Sequence, residues 1–262
     1  MRAVRLLALH VKLAGLVELQ YRANLVAQLV QSAVTAALSV ISTQLVFSHT
    51  SSLGGWSRHE LYVVVGCWFV VTALVQALVN PPLQYFATRI NQGDFDYVLL
   101  RPEDAQALMS VQSVEPWPLI NVPVGVAFII YGGSGAVRLD ASPLAIAGGV
   151  VTLFCGVIML YSVMLLFATL CFWFIRIVDL LFAVSDTFDA GRWPLAMFPP
   201  WLRLVLTVIV PVGLAVTVPA QTLLGRASWE DIALSVGVAT VLFSASRVFF
   251  QIGIKHYSGA SS

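Results

Sequence analysis

Charge is scarce in this chain. Asp, Glu, Lys and Arg make up 10% of its 262 residues, where ordinary soluble domains carry roughly 25%. The shortage runs along the whole length, and 59% of the residues are apolar. So few ions cannot cover a water-facing surface, and the chain reads as a polytopic membrane protein. Net charge is +1 and the basic residues are scattered. That excludes the concentrated basic face a nucleic-acid partner requires. Cys67, Cys155 and Cys171 lie apart, each inside an apolar run. They make neither a disulfide framework nor a zinc site and read as small packing residues.

Familiar chemical motifs are missing as well. There is no G-x-x-x-x-G-K-[ST] loop to cradle the phosphates of ATP, and no His-Glu-x-x-His, Cys-x-x-Cys or Gly-x-Ser-x-Gly. His10, His49, His59 and His256 are far apart in sequence. No catalytic, cofactor-binding or metal residue is expected on this chain. Residues 2–22 do not read as a signal peptide, because Arg2, Arg5, Lys12 and Arg22 interrupt them and no short apolar core leads to a cleavage site. Arg2, Arg5 and Lys12 share one side of a helical wheel, opposite Val4, Leu7, Val11 and Ala14. A helix of that kind can lie along an anionic lipid surface or pack on the protein's own loops.

What remains is a series of long apolar runs. A helix needs about 20 such residues to cross the hydrocarbon core. Residues 25–47 are long enough, and Gln28, Gln31, Thr35 and Ser42 share one face of that helix. In lipid such a face turns inward, either to bond other helices or to line a path for substrate. Residues 60–80 form a second span bounded by Pro81 and Pro82. A third covers 119–131, short enough that it could start as early as Ala107, and a fourth covers 144–174. The last is 232–251, where Arg247 can reach out to the headgroups.

Between the fourth and last spans two placements compete. Hydropathy favours a fifth span at 201–219, but Pro211 and Pro219 divide it into pieces too short to cross a bilayer alone. The other placement is 172–190, which brings Arg176, Asp179, Asp186 and Asp189 to the membrane. Asp179 and Asp186 share a helix face and would have to meet the bundle interior or a wet cavity. Either placement gives six spans, all α-helical, and puts the basic N-terminus and the Arg247/Lys255 end in the cytoplasm.

One run differs from all others: Arg89-Ile-Asn-Gln-Gly-Asp-Phe-Asp-Tyr-Val-Leu-Leu-Arg-Pro102. With Glu103 and Asp104 it forms a charged island just after the second span. Ions are costly in hydrocarbon, so this island must meet water or another protein. Gly93 permits a sharp bend. Pro102 suits the first turn of a new helix, whose positive end Glu103 and Asp104 would complement. Leu99, Leu100, Ala105, Leu108 and Met109 add an apolar face beside the charges.

The run resembles the cytoplasmic motif of ABC-2 type permeases, and its Gly-Asp-Phe-Asp-Tyr-Val-Leu-Leu-Arg-Pro wording is closest to the bacterial "ABC-2 family transporter protein" branch. The resemblance implies one transmembrane domain over 1–262, in the bacterial cytoplasmic (inner) membrane. It implies an N-terminal elbow helix and a coupling helix that meets a cytoplasmic ABC ATPase dimer, which holds the ATP and Mg. Arg89, Gly93, Asp94, Asp96, Leu99, Leu100, Arg101 and Pro102 are the residues carried over for that contact. Trp193-Pro-Leu-Ala-Met-Phe-Pro-Pro-Trp-Leu-Arg203 resembles the start of the family's outer re-entrant helix pair, which favours 172–190 as the fifth span. Six spans make half a pathway, so a second copy or a related permease is implied. The expected function is export of a lipid-like or amphipathic drug-like substrate, with Gln28, Gln31, Thr35 and Asp179 as candidates for its path. Two other readings compete: a lipid-modifying enzyme using Asp94 and Asp96, and an ion-coupled secondary transporter using Asp179 and Asp186.

Overall fold

The structure is a computed structural model that describes residues 22–93, 95–100, 104–135, 142–174 and 177–257. The expected elbow at 2–22 therefore lies almost wholly outside the described residues. Among the described residues the chain is helical, apart from one bridge between Leu53 and Trp56.

Helix α1, Arg22–His49, and helix α2, Arg58–Leu78, are joined by a short polar loop. Ser57 and Glu60 start α2 with a capping box, in which the Ser57 N–H donates to Glu60 Oε2 at 2.8 Å. α2 ends at Leu78, just before Pro81 and Pro82 as expected, but the helical run does not end with it. Helix α3, Asn80–Gln92, follows with scarcely a break, and its prolines lie in the first turn, where no intrahelical N–H is missed. Together Arg58–Gln92 count 35 residues. At 1.5 Å each that is about 50 Å, well beyond a hydrocarbon core of about 30 Å. The far part of α3 must therefore leave the core.

Two short helices follow, α4 (Asp96–Leu99) and α5 (Ala105–Ser110). The third span does not begin near Ala107. Residues 111–116 are a turn and non-helical chain, with the Glu115 N–H donating to the Ala77 carbonyl at 3.1 Å. The helix proper is Trp117–Gly133, whose α-helical part is α6, Asn121–Gly133. It runs antiparallel to α2 at very close range. A Cβ added to Gly66 would lie 2.6 Å from the Gly125 carbonyl oxygen, and the reverse holds for Gly125. Small residues that let helix backbones meet are the usual device for association in lipid.

Helix α7, Pro143–Thr169, packs along helix α11, Trp229–His256. Between them in sequence lie helix α8, Ile177–Thr187, and two 3-10 turns at Phe188–Arg192 and Leu195–Met197. Helix α9, Pro200–Leu204, continues as a π turn to Ile209, and helix α10 is Val212–Leu223. Neither 172–190 nor 201–219 is one straight helix. α8 has only 11 residues, and Pro200–Ile209 meets Val212–Leu223 at 87°.

Contacts place these pieces in depth. Trp68, midway along α2, donates its indole N–H to the Phe188 carbonyl at 2.9 Å. Ala196 meets Gly54 in the loop between α1 and α2. α10 starts beside Gly156, at the middle of α7, and ends beside Gly149, nearer that helix's start. The chain thus rises from α8 to the end that carries the α1–α2 loop. It dips back to mid-depth through α9 and returns through α10.

α2 is the centre of the bundle and 83% buried, while α1 and α11, 17% buried each, lie at the periphery. α1 is built inside out by soluble standards. From Val26 onward its buried residues are Ser32, Ser39 and Thr43, while Val30, Leu38, Ile41 and Leu45 are exposed. That pattern fits a hydrocarbon surround.

Candidate functional site

The charged island forms a compact elbow at the end of the bundle opposite the α1–α2 loop. Gly93 closes α3 in the left-handed region, at φ 77°. The turn drives Phe95 into the protein, where it is 1% exposed. Its ring centroid lies 5.3 Å from Phe86, 5.7 Å from Phe172 and 5.4 Å from Tyr257. Phe250 closes the same aromatic box against Phe86 at 5.6 Å.

The residues singled out for partner contact fall around this peg. Arg89 is half-buried, with its guanidinium 4.6 Å from the Tyr85 ring centroid. Asp96 opens α4 and Leu99 ends it, while Leu100 is 80% exposed. Asp94, Arg101 and Pro102 lie outside the described residues. The new helix starts later than expected, at Ala105. Asp104 is its N-cap, accepting from the Ala107 N–H at 2.9 Å. Leu108 and Met109 are buried in the protein's own core rather than displayed.

Arg247 does not reach for the headgroups. It turns to the elbow, and its Nη1 donates to Asp104 Oδ1 at 2.7 Å and to Gln106 Oε1 at 2.9 Å. Its Nη2 pairs with the other Asp104 oxygen. Gln106 in turn donates to Tyr161 Oη of α7 at 3.0 Å, and Ser110 Oγ lies 2.8 Å from the same oxygen. The Arg247 hydrogen bond holds the Asp104 carboxyl below its usual range, against a smaller opposing effect of burial. Phe95 stood in the run that carries the resemblance but with no role of its own, and Gln106 and Tyr161 carried no signal in the sequence. Only the fold shows what they touch.

A polar cavity lies between α1, α2 and the stretch after α8. Its deeper part, about 320 Å³, is lined by Gln28, Gln31, Ser32 and Thr35 of α1, Thr72 and Gln76 of α2, Asn121, Asp189 and Arg192, with Trp68 and Phe69 as apolar walls. A wider part of about 360 Å³ shares Gln28, Gln31, Thr72, Gln76 and Asp189 and reaches Asn80, Gln84, Glu115, Ser185 and Asp186 toward the elbow end. Gln28, Gln31 and Thr35 thus meet on one wall. Asp179 is exposed and is not among the residues lining either part; Asp186, two turns on, is. Arg192 pairs with Asp189 at 3.2 Å and lies 5.2 Å from the Trp68 ring centroid. Ser32 donates to Asn121 Oδ1 at 2.6 Å and pins α1 to α6 across the cavity. Among the described residues no group of three or more His, Cys, Asp or Glu could hold a metal ion.

The elbow and most of the cavity lie in the stretch that a family model recognises. That model, described as ABC-2 family transporter protein, matches residues 33–261. The chain belongs to the ABC-2 transporter family. This permease is accordingly a membrane component of an ABC transporter, and its apolar helices are transmembrane in character. The match takes in the elbow and, apart from Gln28, Gln31 and Ser32, the cavity wall. No curated protein and no solved structure matches the chain.

Proposed function

We propose that the permease forms half of the membrane pathway of an ATP-driven exporter in a bacterial cytoplasmic membrane, with both chain ends on the cytoplasmic side. A second copy, or a related permease, completes the pathway. A cytoplasmic ABC ATPase dimer binds the elbow from Arg89 to Asp104 and supplies the ATP and Mg. Its closure tips the spans between inward- and outward-open states. Transport is then a population shift, driven by the partner's different affinities for the two states.

The observation that carries this reading is the elbow itself. It stands at the end of a helix pair too long for the bilayer. It is locked inward by Phe95 and Asp104, and it presents Asn91, Gln92 and Leu100 outward. A solvated loop with no partner needs no such anchorage. The basic residues Arg247 and Lys255 lie toward the same end and support a cytoplasmic side. The chain from α8 to Phe198 is a broken fifth crossing, and α9 with α10 is a re-entrant pair on the outer side.

The cavity is the path for cargo, with Gln28, Gln31 and Thr35 on one wall. Its volume lies in the range of small-molecule sites, about 300–1,000 Å³. Amides and hydroxyls dominate the lining, with Trp68 and Phe69 beside them. An amphipathic cargo with hydrogen-bonding groups fits this wall better than a bare acyl chain.

Affinity purification in mild detergent tests the reading. An ATPase subunit should co-purify and be lost when Leu100 is changed to Asp. A cysteine placed at Gln92, with Cys67, Cys155 and Cys171 removed, should react with an impermeant reagent only in opened cells. Labelling on intact cells would overturn the reading, and so would a complex without a nucleotide-binding subunit.

A further inference from the structure

A force applied to the elbow has to reach the spans through whatever bonds the elbow makes to them. The Asp104 cluster makes them to two helices at once. α5 is only six residues long, Ala105–Ser110, yet it and its cap contact α11 through Arg247 and α7 through Tyr161. Asp104 and Gln106 share Arg247, and Gln106 and Ser110 share Tyr161. Tyr161 also packs on Phe243, one turn before Arg247, at 6.3 Å between centroids. The two anchored helices are therefore in contact at the level of the anchor. They meet again near their ends, where Gly253 leaves room for Phe172 and Thr169.

We infer that Asp104, Gln106, Arg247 and Tyr161 form a latch that passes motion of the elbow to α7 and α11 as a unit. This rests on the coupling role proposed above. These four are positioning residues, since none lines the cavity. The Asp104–Arg247 pair is its working part. It is partly open to water, with side chains 44% and 33% exposed, so it can break and re-form within a transport cycle. A bidentate guanidinium–carboxylate pair also resists shear in a way that a single bond does not.

The test uses the whole transporter reconstituted with its ATPase and reads transport per ATP hydrolysed. D104N and R247Q should each lower that ratio by about fivefold, within the range of coupling changes known for such networks. ATPase binding and melting temperature should stay close to those of the parent. The double variant should be no worse than either single one, because both remove the same bond. The exchanged pair, D104R with R247D, should recover most of the ratio.

Unchanged ratios in both single variants would overturn the latch, and so would additive losses in the double variant. If the exchanged pair melts early, R247K decides instead. It keeps the charge but loses the fork, so a ratio equal to the parent's also overturns the latch. Failure of the parent to bind an ATPase at all would instead strike at the coupling role, leaving the two outcomes distinguishable.

Discussion

The permease has a long-range ion pair at each end of its bundle, and the two are built for opposite purposes. At the end with the α1–α2 loop, Glu60 pairs with Arg226, which follows α10. Glu60 is 1% exposed and also accepts the Ser57 N–H. Arg226 reaches it from a half-open position near the Trp56 ring. This pair holds together the start of α2 and the end of the α9–α10 hairpin. At the elbow end, the Asp104–Arg247 pair is wet on both sides, and the stability there comes from Phe95 in its aromatic box. A charge buried on one side is a clamp, because losing its partner strands it. A charge in water is a switch, because separation costs little. One end of the molecule is fixed by charge, and the other is fixed by an aromatic ring and switched by charge.

The comparison breaks most readily at the ring. Phe95→Ala should cost about 3–5 kcal/mol, the usual range for emptying a buried Phe site. Melting in detergent should show it, together with loss of the bound ATPase as the elbow loosens. Arg226→Ala should come next, at about 3 kcal/mol, since it leaves the Glu60 carboxylate buried with only a backbone N–H. Glu60→Gln should restore part of that loss in the Arg226→Ala background, because a neutral amide keeps the cap without the stranded charge. If Arg226→Ala melts like the parent, the clamp reading is wrong. Asp104→Asn should cost only about 0.5 kcal/mol, because solvent already screens the pair.

Much of this architecture was readable before any coordinate. Apolar runs announced five of the helices, α1, α2, α6, α7 and α11, and the island at Arg89–Pro102 stood out because charge is rare elsewhere. Helical spacing alone put Gln28, Gln31 and Thr35 on one face, and the cavity wall is that face. Proline was read less well, for a physical reason. Pro81 and Pro82 lie in a first helical turn, where the missing N–H costs nothing. Pro211 follows Val210, whose ψ of 91° has already left the helix. The residue type is the same, and only the local backbone separates a continuation from a sharp bend. Pairings across the chain left no trace in the sequence. Asp104 and Arg247 are 143 residues apart, and no periodicity links them. Phe95 is one of 15 phenylalanines, and nothing local marks it as the peg.

The smallest effect separates the two ends by pH. The hydrogen bond from Arg247 keeps the folded Asp104 carboxyl below the unfolded value of about 3.9. A lowered folded value means the pair stabilises the fold fully above the unfolded value and loses that contribution as pH falls through the folded one. Arg247 stays protonated throughout, and the remaining groups bonded to Asp104 are the backbone N–H groups of Ala107 and Gln106, neither of which titrates. The melting difference between the parent and Asp104→Asn should therefore be level from about pH 8 to pH 5, begin to shrink only as pH falls past the unfolded value of about 3.9, and vanish once pH is below the folded value. A difference that instead grew on acidification would mean that Asp104 is protonated when folded, and a protonated carboxyl could not hold the guanidinium as the switch requires.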